Sequence, residues 1–158
     1  MGKKLTLLRH GDTETGTGYQ GDFKRKLTEC GRVKLSRLNR LLKEKETQFD
    51  LLLKSPALRT MQTAQLIAEH LKVKEERVEE NIYESSVEVL LEILYKLPDD
   101  IKDVLVVGHN PAISSLLIYL TNDYDVSLMP GMMAVLTFDN LDWALLSKGS
   151  GCLSEVLQ

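Results

Sequence analysis

The feature that most constrains this chain is an alternation in which short apolar runs of strand type are each followed by a segment with helical periodicity. Leu5 to Leu8 is the first run, and it ends at Arg9-His10-Gly11. After Thr28, Leu35, Leu38, Leu41 and Leu42 recur at helical spacing among charged residues. Asp50 to Leu53 is a second run. The Ser55-Pro56 that follows reads as a helix start, with serine as N-cap and proline at the first helical position. Met61, Ala64, Ala68 and Leu71 would be the buried stripe of that helix. A further helix is predicted over 87–97, before the Pro98-Asp99-Asp100 turn. Val104-Leu105-Val106-Val107 is continuous and β-branched, the clearest buried strand. It runs into Gly108-His109-Asn110-Pro111, which repeats the cap-and-proline pattern, and Ile113, Leu116, Leu117 and Leu120 give the next helix its core face. Two last strands are predicted over 132–138 and 143–146.

Such alternation implies a three-layer α/β sandwich, a mostly parallel central sheet flanked by helices. The chain has 158 residues and no repeat, low-complexity tract or linker, so one domain over residues 1–158 is expected. In sheets of this kind ligands bind at the carboxyl ends of the strands. Arg9-His10-Gly11, Ser55-Pro56-Ala57-Leu58-Arg59 and Gly108-His109-Asn110-Pro111 each fall just past such an end, so they should share one rim. Singly, each has a plainer reading: a turn histidine, a helix start, an exposed arginine, a capped turn. Together they place two histidines, two arginines and two helix N-termini around one spot, all suited to an anion. A neutral imidazole among cations can also attack phosphorus. His70, near the far end of its helix, reads as a surface residue.

Charge narrows the alternatives. The formal net charge is -3, so neither nucleic acid nor an anionic membrane is the expected partner. No apolar run is long enough to span a bilayer, and Met1-Gly2-Lys3-Lys4 leads into a strand rather than a signal segment, so a cytoplasmic location is expected. Cys30 and Cys152 fit no metal spacing and read as reduced thiols. Leu128-Met129-Pro130-Gly131-Met132-Met133 is expected to lead into a core strand rather than to form an exposed loop.

Four blocks, in this order, resemble the histidine phosphatase superfamily, the branch that includes phosphoglycerate mutases. They are Leu8-Arg9-His10-Gly11; Asp22-Phe23-Lys24-Arg25-Lys26-Leu27-Thr28-Glu29-Cys30-Gly31; Ser55 through Ala64; and Gly108-His109-Asn110-Pro111. The second is similar to a segment of the SixA-type phosphohistidine phosphatases. The resemblance implies a phosphoglycerate mutase-like fold with little or no cap insertion. It implies that His10 carries the phosphoryl group, that Arg9, Arg59 and His109 hold its equatorial oxygens, and that Arg25 adds a contact. Gly11 would let the backbone turn sharply beside the nucleophile. Water would then hydrolyse the phosphohistidine, with no metal or organic cofactor implied.

Two positions depart from the pattern. Gly16 stands where many mutase-like members have an asparagine near the phosphate. Glu84 falls where such members have a general acid, which leaves it either a candidate acid or a surface carboxylate. The expected substrate is a phosphohistidine on a protein, which needs little acid catalysis and suits an open rim. A small phosphorylated metabolite is the alternative, with a mutase less favoured, and so is a phosphate-binding module without catalysis. Nothing in the sequence sets the oligomeric state.

Overall fold

The computed structural model describes residues 2–158. One six-stranded sheet organises them. In chain order the elements are β1 (Lys3–Arg9), α1 (Gly18–Phe23), α2 (Glu29–Glu44), β2 (Gln48–Lys54), α3 (Leu58–Ala68), β3 (Lys72–Val78), α4 (Val87–Tyr95), β4 (Asp103–Gly108), α5 (Ala112–Thr121), β5 (Met133–Phe138) and β6 (Cys152–Leu157). The strands lie in the order β3-β2-β4-β1-β5-β6. The first four are mutually parallel, and β5 and β6 extend the sheet antiparallel. This is the expected three-layer, mostly parallel sandwich.

Strand periodicity makes the layers. Successive side chains of a strand point to opposite faces, so Leu5, Leu7, Leu51, Leu53, Val104 and Val106 join the core under α4 and α5. Leu8, Leu52, Leu105 and Val107 join a second core, with Leu35, Leu38 and Leu42 of α2 and Ala64 and Ile67 of α3. α2 is capped by Thr28, whose hydroxyl accepts the Gly31 N–H at 3.0 Å.

Several expectations need correction. The third helix begins at Leu58, and its N-cap is Ala57. Ser55 is fully buried instead, and its hydroxyl is drawn into the site. The buried side chains of that helix are Arg59, Thr60, Thr63, Ala64 and Ile67, because its inner face serves the site as well as the core. Likewise α5 starts at Ala112, after Pro111. The apolar Trp143–Leu145 stretch is a 3₁₀ turn rather than a strand. It buries Trp143 completely, and the indole N–H donates to the Ile101 carbonyl at 2.7 Å. The strand pairing with β5 comes later, as β6. The 128–133 segment divides: Leu128 and Met133 are fully buried, whereas Met129 is 58% exposed. Cys30 and Cys152 are free thiols, both exposed.

Candidate active site

Adjacent parallel strands bring the three clusters together. The His10 N–H donates to the Gly108 carbonyl at 3.1 Å, and the Ser55 N–H to that of Val107 at 3.3 Å. The His10 and His109 rings then lie 5.4 Å apart. Gly11 is bound across to α3, its N–H donating to Thr63 Oγ1 at 3.0 Å, while that hydroxyl donates to the Arg59 carbonyl at 2.7 Å. Thr63 thus locks the loop after β1 to the helix that carries Arg59. Gly11 is needed for space rather than for a turn: a Cβ there would lie 2.7 Å from Leu35 Cδ1.

The hydrogen-bond network assigns both imidazole tautomers. His10 Nδ1 lies 2.8 Å from the Gly11 carbonyl oxygen. A carbonyl only accepts, so Nδ1 carries the hydrogen and Nε2 presents its lone pair. His109 Nε2 lies 2.8 Å from Ser55 Oγ, which already accepts the Ala57 N–H at 3.2 Å. Among the described residues the buried Ser55 hydroxyl has no other acceptor for its proton, which is therefore directed to Nε2 and leaves Nδ1 of His109 as the N–H donor.

Both rings are held uncharged. Burial lowers the pKa of His10 most; the Gly11 carbonyl opposes this, and Arg59, Arg9 and Arg25 push further down, to about 4. Burial followed by Arg59 and the neighbouring His10 brings His109 to about 3.

The guanidiniums are arranged by groups that the sequence did not reveal. Arg59, buried at 5% exposure, donates to the Asp22 backbone carbonyl at 2.7 Å and to its carboxylate at 3.2 Å. Arg25 donates to the Asp22 carboxylate and to Thr13 Oγ1, at 3.1 and 2.7 Å. Tyr83 donates its hydroxyl to the same carboxylate. Burial opposes the ionisation of Asp22, but Tyr83, Arg59 and Arg25 outweigh it and hold the carboxyl below its ordinary value. Burial, reinforced by Asp22, raises the Tyr83 phenol to about 12. Arg9 donates through Nη1 to the Leu128 carbonyl at 3.1 Å. Asp22 and Thr63 stand inside the blocks that carry the family resemblance but had no role assigned from the sequence, and Tyr83 lies in none of those blocks.

The two positions that depart from the family pattern have these surroundings. A Cβ at Gly16 would lie 2.4 Å from the Gly21 carbonyl oxygen and 2.7 Å from Arg25 Cγ, so this loop closes on α1 in a way an asparagine would block. Glu84 is exposed, with a left-handed backbone (φ 52°), and it is its neighbour Tyr83 that packs edge-on against His109, centroids 5.6 Å apart. His70 is exposed, as expected. Among the described residues no group of three or more His, Cys, Asp or Glu could hold a metal ion.

Among the described residues, only Arg9 Nε, Arg59 Nε and His109 Nδ1 are buried side-chain nitrogen or oxygen atoms without a hydrogen-bond partner. Three unmatched donors next to an unprotonated imidazole define a centre built for an oxyanion and able to attack it, the arrangement expected of a phosphoryl-transfer enzyme. Sequence comparison gives the family. The chain belongs to the histidine phosphatase superfamily (branch 1), whose family model matches residues 5–90, and it is a phosphatase. A search of curated protein sequences finds no significant match.

Solved structures agree on the fold. A protein assigned as the phosphohistidine phosphatase SixA of Nakamurella multipartitia superposes with a TM-score of 0.85 at 25% identity, covering 100% of this chain and 96% of that one. The protein histidine phosphatase SixA complexed with tungstate gives 0.81 at 22% identity, covering 98% and 96%. A mycobacterial glucosyl-3-phosphoglycerate phosphatase gives 0.69 at 18% identity, covering 98% of each chain. Among the described residues no helix is long and apolar enough to cross a membrane.

Proposed function

We propose that residues 1–158 form one catalytic domain, acting in the cytoplasm, that hydrolyses phosphohistidine on a protein through a phosphorylated His10. The observation that carries this reading is the set of three buried, unmatched donors around an imidazole whose Nε2 lone pair is free. Nε2 of His10 attacks phosphorus in line, and the bond from phosphorus to the substrate's imidazole breaks. Arg9, Arg59 and His109 Nδ1 donate to the equatorial oxygens, and Arg25 adds positive charge. Water then attacks the phosphorus on His10, releasing phosphate and restoring the neutral ring. No step draws on a metal or an organic cofactor.

The nature of the leaving group supports phosphohistidine over an alkyl phosphate. An imidazole has a second nitrogen that can be protonated before the reaction, so it departs neutral without an acid from the protein. An alkoxide has no such route. Tyr83, with its phenol at about 12, is a poor donor, and Glu84 is exposed. SixA proteins superpose with higher TM-scores than the sugar-phosphate enzyme, which favours the same reading.

The test is mass spectrometry after brief incubation with a phosphohistidine peptide. An acid-labile, alkali-stable phosphoryl group is expected on the wild type and absent from His10→Ala. Rapid turnover of small phosphate esters with the peptide left intact would transfer the assignment to metabolites. Phosphate binding without any adduct would make the protein a binding module.

A further inference from the structure

Beside the phosphate-holding residues lies a groove of about 620 Å³ between α2 and the 129–131 loop, lined by Asp12, Lys34, Arg37, Met129 and Pro130 among others. Both walls are tied to the site. Asp12 follows His10 by two residues, and its carboxylate accepts the Thr28 hydroxyl at 2.9 Å. On the opposite wall the Gly131 N–H donates to the carbonyls of Arg9 and His10, at 3.1 and 2.9 Å. Leu128 is anchored through its own carbonyl to Arg9 and to Asn110. Met129 projects between these fixed points, an apolar tip at the edge of the site.

The charge along α2 is arranged against its own stability. Arg32, Lys34, Arg37, Arg40 and Lys43 face Glu29 and Glu44 as the only carboxylates of the helix. Among the described residues none of the five cations forms an ion pair. Lys34, Arg37, Arg40 and Lys43 succeed one another at i,i+3, the spacing at which like charges on a helix repel. The chain as a whole is acidic, with a net charge of -3, so this row is a local reversal that an anionic partner would relieve.

We infer that the α2 cation row and the Met129–Pro130 tip form a docking surface for an acid-rich face of the protein that carries the phosphohistidine. The inference rests on the substrate reading above and names what would select the substrate, since the phosphate-holding residues recognise only the phosphoryl group. A protein face fits better than a nucleic acid or a lipid surface. The groove is concave with an apolar edge, and the Asp12 carboxylate inside it repels a continuous array of phosphates.

The experiment compares two synthetic phosphohistidine peptides of equal length, one with glutamates flanking the phosphohistidine and the other with glutamines at those positions. N-phosphoimidazole serves as a substrate too small to reach the groove. A few exposed ion pairs add up to about a tenfold preference for the glutamate peptide in kcat/KM, expressed through KM, and it fades as salt is raised. The double variant Lys34→Glu/Arg37→Glu is expected to lose or reverse the preference while hydrolysing N-phosphoimidazole at the wild-type rate. If both peptides react equally in the wild type and the variant, the docking surface is refuted while the phosphohistidine reading stands. If the wild type hydrolyses neither the peptides nor N-phosphoimidazole, the substrate reading falls, and the docking inference with it. Cosedimentation with phosphatidylserine vesicles that the variant abolishes, without any peptide preference, would reassign the row to membranes and overturn the inference.

Discussion

A nucleophilic imidazole must be unprotonated, and the structure predicts how firmly His10 is kept so. Its folded pKa is about 4, against 6.5 for the free side chain. Between these values the unfolded chain binds a proton that the folded chain refuses, so stability rises with pH across that window and falls as pH drops from 6.5 towards 4. At about pH 4.5 the unfolded form is almost fully protonated at this position and the folded form only in part, a loss of roughly 2 to 3 kcal/mol from His10 relative to neutral pH. His10→Gln removes that contribution. Urea unfolding of wild type and variant at about pH 7.5 and about pH 4.5 should therefore show the wild type losing roughly 2 to 3 kcal/mol more than the variant. His109 and the carboxylates titrate in both proteins and largely cancel in the difference, although His109, itself lowered partly by His10, recovers some proton affinity in the variant. NMR titration of the His10 ring supplies a second readout. Equal losses in the two proteins, with a ring that titrates near 6.5, would refute the argument that burial and three guanidiniums keep the nucleophile neutral.

Two further substitutions probe the scaffold. Thr63→Val keeps the shape but leaves the Gly11 N–H without its acceptor and breaks the link to the Arg59 carbonyl; a loss of about 1–3 kcal/mol in urea unfolding is expected, with kcat falling more than in Thr121→Val, whose hydroxyl bonds only within α5 and its end. Gly16→Asn forces its Cβ against the Gly21 carbonyl and Arg25, so a destabilisation of about 1–3 kcal/mol should accompany weaker inhibition by phosphate; an unchanged melting curve would show that the loop has room to move.

Asp22 is what makes the arginine cluster tenable without a phosphate. It takes two hydrogen bonds from Arg59, one of them at its backbone carbonyl, one from Arg25 alongside a second ion-pair contact at 3.0 Å, and one from Tyr83. Each guanidinium is thereby held in place by groups that leave Arg59 Nε free. The aromatic side chains of α1 complete the wall, with Phe23 meeting Tyr83 edge-on at 5.3 Å. Such fixed donors lower the reorganisation needed as charge develops on the phosphoryl oxygens.

The sequence alone determined most of the sheet and the shared rim. β1, β2, β4 and β5 are covered on both faces, so their central side chains are mostly apolar, with Thr6 and Asp50 among the exceptions, and that signal is readable in the sequence. Once such runs alternate with helices, parallel pairing of β1, β2 and β4 brings their carboxyl ends together, and His10, Arg59 and His109 meet wherever the intervening loops run. Only the tertiary structure decided the rest. β3, Lys-Val-Lys-Glu-Glu-Arg-Val, and β6 lie at the sheet edges, where a strand is held mainly by backbone hydrogen bonds that leave little mark on side-chain choice. Trp143 and its neighbours looked like a strand because a short apolar run reports burial and not backbone shape. The tautomer of His109 is set by Ser55, far away in sequence, and the order of the guanidiniums by Asp22 in α1 and Tyr83 in the turn before α4, which are distant in sequence. A proton's position depends on which acceptor the fold delivers within about 3 Å, and that information exists only after the chain has closed on itself.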